Sequence, residues 1–224
     1  MAAADGAQSF LCLRVPPEKM DRLWAEGWRH FGIFFFQYRL SVHSGKRFTV
    51  MPLRVDLERF SPTRSQRRVL RANREARVVI RPAEVDEEKS QLFVKHRLRF
   101  SENIPSSLAD FLSPAPAAVP CANVELCVYA GDKLVGVTFL DLGKTASSAV
   151  YAIFDPAAAR SSPGIFMMLR SIEFSRKRGY RYYYPGYAYQ EPYNYDYKKR
   201  FRGLEYLDWD AGWKPYANGA KDSR

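Results

Sequence analysis

The sequence predicts an α+β fold: a β-β-β-α-β core preceded by a helical and hairpin N-terminal region. Three observations point there. Three strand-like runs follow one another at 124–130, 133–142 and 146–154, divided by Gly131-Asp132 and stopped by Asp155-Pro156. An amphipathic helix comes next, with Ile165, Met168, Leu169 and Ile172 at i, i+3, i+4 and i+7. Lys177 and Arg178 suit its C-terminal end, Gly179 suits a left-handed cap, and a fourth strand is expected at 180–184. The expected organisation is 1–60 as N-terminal helix and hairpin, 61–216 as the core region, and 217–224 as a disordered tail.

Composition narrows the class. Of 224 residues, 46% are hydrophobic, which suits a packed core and excludes a disordered chain. Thirty-five basic residues against 24 acidic ones leave a net charge of +11, which favours a polyanionic partner, nucleic acid before an anionic membrane. The N-terminus shows no secretory pattern, and the apolar run 31–36 is too short to span a bilayer. No membrane partner is expected. Three cysteines, an odd number without a framework, read as reduced thiols in a cytoplasmic protein.

In chain order, residues 1–9 are expected to fray. A helix begins at Pro16 or Pro17, turns Met20, Leu23 and Trp24 inward, and ends at Gly27. The runs 31–40 and 47–60 form a hairpin through Ser44-Gly45. Ser61-Pro62 marks a second helix start. On that helix Arg64, Arg67, Arg68, Arg71 and Arg74 share an arc of roughly 120°. Such a stripe is either a solvated face or a contact for RNA phosphates. Asp86-Glu87-Glu88 starts a third helix, whose Leu92, Phe93 and His96 face the core. A short helix at 107–112 and a loop at 113–120 lead into the core strands.

Nine of the fourteen tyrosines lie between Tyr180 and Tyr197. Rings beside Lys198-Lys199-Arg200 suit stacking on unpaired bases, or a half-buried sheet edge with wet hydroxyls. Pro185-Gly186-Tyr187 reads as a turn after the fourth strand. Zinc, Walker, dinucleotide and serine-hydrolase motifs are absent, and the three histidines are too scattered to suggest a metal site. The element order resembles the GNAT acyltransferase core. That fold cradles an acyl-CoA pyrophosphate on a glycine-rich turn, but here 160–164 has one glycine and a proline lacking a donor.

Six motifs then stand in one order. They are Gly27-Trp28-Arg29-His30-Phe31-Gly32, Pro52-Leu53-Arg54-Val55, and Ser65-Gln66-Arg67-Arg68-Val69-Leu70-Arg71-Ala72-Asn73. They continue with Ser148-Ala149-Val150-Tyr151-Ala152-Ile153-Phe154-Asp155-Pro156, Tyr183-Tyr184-Pro185-Gly186-Tyr187 and Tyr197-Lys198-Lys199-Arg200-Phe201. Together they resemble the arginyl-tRNA–protein transferase family and its bacterial leucyl-transferring relatives, over about residues 27–213.

The resemblance implies an aminoacyltransferase on a GNAT-like fold. Such enzymes move an amino acid from charged tRNA to a protein N-terminus, often Asp or Glu, and so feed N-terminal-residue-dependent degradation. Family members carry a cysteine cluster before the Pro-Leu-Arg motif, associated with metal or an iron–sulfur cluster. The corresponding positions fall near Ser44, Arg47 and Val50, none of them cysteine. The expectation is therefore no metal and no cofactor beyond the aminoacyl-tRNA donor. Expected catalytic residues are Asp155, to orient or deprotonate the amine, with Tyr187 and Tyr197. Tyr189 joins those tyrosines in holding the terminal adenosine, and the arginine stripe holds tRNA. Lys198 and Lys199 would contact an acidic acceptor or a phosphate. Two other classes fit parts of the sequence: an RNA-binding module on this fold without turnover, and an acyl-CoA N-acyltransferase, supported by fold order alone.

Overall fold

In the computed structural model, which describes residues 7–101 and 104–217, two sheets carry the molecule. The chain opens with β1 (Gln8–Leu11), helix α1 (Pro17–Ala25), β2 (Arg29–Phe31) and β3 (Phe34–Gln37). These three strands form a small sheet in the order β1-β3-β2. Gln8 and Ser9, expected to fray, are instead laddered to Gln37 and Phe36. Helix α1 has its proline in the first turn and buries Met20, Leu23 and Trp24, as the periodicity requires. Each such burial contributes about 1.5–3 kcal/mol.

Next come β4 (Leu40–His43) and β5 (Lys46–Asp56), joined by Ser44 and Gly45 at φ +48° and +74°. Two positive φ values make a turn that matches strand twist. Helix α2 (Arg64–Ala72) starts at Thr63 and not at Ser61. The Thr63 hydroxyl accepts from the Gln66 amide at 3.2 Å, and the Gln66 side chain accepts from the Thr63 amide at 2.9 Å. This reciprocal box satisfies two otherwise orphaned donors, which Ser61 is too far upstream to do.

Strand β6 (Arg77–Pro82), absent from the expectation, pairs with β7 (Asn123–Ala130) as the sheet's outer strand. Between them helix α3 (Glu87–Arg97) is capped by Asp86 and buries Leu92, Phe93 and His96. The expected helix at 107–112 shortens to a 3-10 turn, Leu108–Asp110. The remaining elements are β8 (Lys133–Leu142), β9 (Ala146–Phe154), α4 (Pro163–Lys177), β10 (Tyr182–Tyr189), β11 (Leu204–Asp208) and β12 (Gly212–Pro215). The tail expected beyond residue 217 lies outside the described residues.

The large sheet runs β12-β11-β5-β10-β9-β8-β7-β6, with β4 on β5. Its pairs are antiparallel except β9 with β10, which run parallel and are joined by the α4 crossover. So β7-β8-β9-α4-β10 supplies the expected β-β-β-α-β core of a GNAT-like α+β fold. Met168, Leu169 and Ile172 of α4 pack with Leu53, Val55, Leu140 and Tyr183, and Val69 and Leu70 of α2 join them. A second cluster sets Met20, Leu23 and Trp24 of α1 beside Phe35, Ala146 and Tyr184. A third gathers Leu92 and Phe93 of α3 with Val137, Phe139 and Ile153.

Candidate active site

The one parallel pair in the sheet is also its weak seam. The β9–β10 ladder comprises Tyr182–Ala146, Tyr183–Ser147 and Tyr184–Ser148, and then stops. Beyond it β9 continues beside β8 to Phe154, and β10 continues beside β5 to Tyr189. The expected turn at Pro185-Gly186-Tyr187 is therefore strand. Pro185 is tolerated because the β9 ladder has already ended and the β5 register shifts between Tyr183 and Gly186. Gly186 sits at φ +91° in that irregularity.

Lys198 enters this seam. It belongs to a 3-10 turn, Asp196–Arg200, that follows β10. Its stem reaches the surface, but its amine is enclosed and donates to the Tyr187 carbonyl at 3.1 Å. A Cβ on Gly186 would stand 3.5 Å from that amine, so glycine keeps room for it. Loss of hydration lowers the Lys198 pKa to about 7, with the positive charge of Arg29 adding to the effect.

Arg29 was not expected, although it lies within the first family-like motif. The residue is 7% exposed, and its guanidinium donates to the Trp28 carbonyl at 2.7 Å and the Leu53 carbonyl at 3.4 Å. It also lies over the rings of Tyr184 and Tyr187, at 5.2 and 5.4 Å. Its Nε is buried without a partner. The signal available in the sequence is an Arg29-His30 pair set between the aromatic residues Trp28 and Phe31.

Tyr187 and Tyr197 also come to the seam. The Tyr187 hydroxyl donates to the Gly27 carbonyl at 2.6 Å, and burial raises the pKa of both phenols. On β9, Tyr151 has a buried hydroxyl without a partner, and its ring stacks on Phe111. Burial raises its pKa, with Tyr195 adding to the shift, so it remains a donor at neutral pH.

Other expected residues are placed differently. Tyr189 is 4% exposed, its hydroxyl 2.7 Å from His43 Nε2 and its ring packed among Phe48, Tyr193 and Tyr195, so it offers no free face to a base. Lys199 is buried and paired with Asp196 at 2.7 Å. Asp155 accepts from Lys133 at 2.8 Å and from the Ala157 amide at 2.9 Å, capping the 3-10 turn Pro156–Ser161. These two donors, Lys133 first, hold its pKa below the usual carboxylate range. Both its oxygens are engaged by these donors, the arrangement of a turn cap.

The stripe residues Arg64, Arg67, Arg68 and Arg71 are exposed on α2, whereas Arg74, expected on the same helix, is exposed in the turn after its Asn73 cap. Gln66 on the same helix donates to the Arg200 carbonyl at 3.3 Å, which ties α2 to the turn carrying Lys198. The stripe lies on the exposed face of the helix, turned away from Gln66. At the α4 N-terminus Ser162 takes φ +54° and Pro163 has no amide hydrogen, a poor pyrophosphate cradle. Ser44 lies in the β4–β5 turn and Arg47 and Val50 on β5, so the positions of the family's cysteine cluster hold no ligand set for it. No described helix is long and apolar enough to cross a membrane.

With this geometry in view, three comparisons bear on the chain. Residues 81–208 match the family described as arginine-tRNA-protein transferase, C terminus. The chain is 31% identical over 158 residues to an aspartate/glutamate leucyltransferase of Saccharophagus degradans, covering 69% of this chain and 67% of that one. It is 30% identical over 198 residues to the enzyme of the same description from Marinobacter nauticus, covering 87% and 81%. Among solved structures, the C-terminal domain of a protein described as a lysylphosphatidylglycerol synthetase from Agrobacterium fabrum superposes with a TM-score of 0.50 at 15% identity. That match covers 81% of this chain and 54% of the other, and speaks for the fold alone.

Proposed function

Since the chain belongs to the arginine-tRNA–protein transferase family, whose donor is an aminoacyl-tRNA, we propose that it moves an amino acid from charged tRNA to an acidic protein N-terminus at the β9–β10 seam. The donor is leucine or arginine; the descriptions of the relatives favour leucine, with Asp or Glu as acceptor. The product would feed N-terminal-residue-dependent degradation.

The observation that carries this reading is Lys198, an enclosed amine with a pKa near 7 beside a second cation. The aminoacyl ester is already activated, so the main task is holding ester and amine together. The acceptor amine, with a reference pKa of roughly 7.7–8.0, keeps a usable neutral fraction near pH 7, and that form attacks the ester carbonyl. Lys198 takes the proton that the new C–N bond makes acidic and returns one to the departing ribose oxygen. The Tyr151 hydroxyl, buried and unpartnered, would donate to the tetrahedral oxyanion. Tyr187 and Tyr197 flank Lys198 and would border the terminal adenosine. Arg29 keeps Lys198 easily deprotonated, and together these cations favour an acidic acceptor residue. The α2 stripe would take the tRNA backbone.

The direct test is transfer from a mixed pool of charged tRNAs to peptides beginning with Asp, Glu or Ala, read by mass. Addition of leucine or arginine to the acidic peptides alone is expected. Tight tRNA binding without any added mass would instead favour an RNA-binding module.

A further inference from the structure

The fold brings His30 of β2, Cys121 just before β7 and Asp141 of β8 to one buried point. Their ligating atoms lie within 4.8 Å of one another. His30 Nδ1 stands 2.8 Å from the Gly32 carbonyl and therefore donates its hydrogen there. His30 Nε2 stands 2.6 Å from Asp141 Oδ2. An imidazole carrying only its Nδ1 hydrogen would press a lone pair against a carboxylate. Something positive must lie between them, a proton or a metal ion. The Cys121 thiol also leans on Asp141.

We propose that His30 Nε2, Cys121 Sγ and Asp141 Oδ2 bind one zinc ion. Nitrogen, thiolate and carboxylate donors are a zinc set, and three protein ligands leave a fourth position for water. Two further features fit. The Gly32 carbonyl fixes the ring so that Nε2 points to the site, and Asn123 Nδ2 holds Asp141 Oδ1 at 2.7 Å, the outer contacts that orient ligands. Beside the trio lies a cavity of about 10 Å³ lined by His30, Asp141 and Asn123, about one water in size. Asn123 is 4% exposed, and its Oδ1 is buried without a partner. A zinc-bound water there would supply the missing hydrogen bond.

The exchange balances. Protonated, the trio is an imidazolium, a thiol and a carboxylate, with no net charge. Zinc displaces the Nε2 and Sγ protons to solvent and leaves imidazole, thiolate, carboxylate and a dication, again with no net charge. The His30–Asp141 contact, 2.6 Å here, opens by roughly 0.7 Å to tetrahedral ligand spacing. The ion would pin the small sheet to the large one, one residue from Arg29. These residues lie elsewhere in the chain than positions 44, 47 and 50, and the site stands whether or not the transfer reading does.

Cobalt titration of the chelator-treated full chain tests this. A thiolate-to-cobalt absorption band should rise to saturation at one equivalent and vanish when zinc is added. Zinc should also raise the wild-type melting temperature. Cys121→Ser should lose both the band and the rise, and Cys127→Ser should keep both. A wild-type chain with no band and no shift would show that protons fill the site. A band that persists in Cys121→Ser would equally overturn the assignment. If Cys121→Ser does not fold, the wild-type stoichiometry and the Cys127→Ser control decide.

Discussion

Lys198 owes its low pKa to an enclosed amine facing Arg29, so its chemistry should appear in a pH profile. Transfer should fall as pH drops through about 7, where Lys198 gains its proton. Lys198→Met should slow transfer by roughly 10²–10⁴ while tRNA binding persists. Arg29→Gln removes the neighbouring charge, so the acid limb should move to higher pH. A limb that stays put in Arg29→Gln would separate the two residues. Asp155 makes the contrasting case. Its depressed pKa stabilises the fold above the ordinary carboxylate value, and that contribution is lost as pH falls through the lowered one. Asp155→Asn keeps the cap but weakens the Lys133 pair, so it should transfer at near wild-type rate while melting slightly earlier. A folded, tRNA-binding but slow Asp155→Asn enzyme would return that carboxylate to the chemistry.

Among the elements, α2 joins stability and binding in one short helix. Thr63→Ala breaks the capping box and should cost about 1 kcal/mol in denaturant unfolding. Arg67, Arg68 and Arg71 changed together to Glu should leave the fold intact, since exposed charges contribute little to it. The same triple change should weaken tRNA binding and flatten its salt dependence; unchanged affinity would detach the stripe from the site. These elements also show what the sequence carried. Strand β9 was readable to the residue, because Asp155-Pro156 forbids continuation and the run before it is unbroken. Strand β10 was cut short, because Pro185-Gly186 breaks a strand only where neighbours need its hydrogen bonds, and the parting of β9 is a tertiary fact. The short strands β6, β11 and β12 carry too few alternations to stand out before a partner is known. The stripe was visible by periodicity. The Lys198–Arg29 pairing was not, since it joins positions 169 residues apart.

For the molecule as a whole, folding sets buried bases against acid. The chain already carries +11 at pH 7, and acidification adds repulsion. His96 sits where α3 meets the end of β9, with Nδ1 3.1 Å from the Phe154 amide. Burial lowers its pKa to about 4, and the nearby Arg99 lowers it further against the Phe154 backbone contact. Unfolded, the same imidazole takes a proton near its reference value of about 6.5. Between these values the unfolded chain binds more protons than the folded one, so stability rises with pH over that window. Lys198 extends the trend upward, because its folded pKa of about 7 lies below its reference of 10.5. The contribution of His96 to the melting temperature should therefore climb from pH 4 to pH 6.5, and that of Lys198 should climb above pH 7. His96→Gln retains an acceptor for the Phe154 amide but cannot titrate there. It should remove part of the slope between pH 4 and 6.5 and leave the slope above pH 7 unchanged. Lys198→Met should do the reverse, with its largest gain in melting temperature near pH 6. Carboxylates and the other histidines are common to all three chains and cancel in the differences. Parallel melting curves for wild type and His96→Gln from pH 4 to 6.5 would show that His96 is not the buried neutral base joining α3 to the sheet.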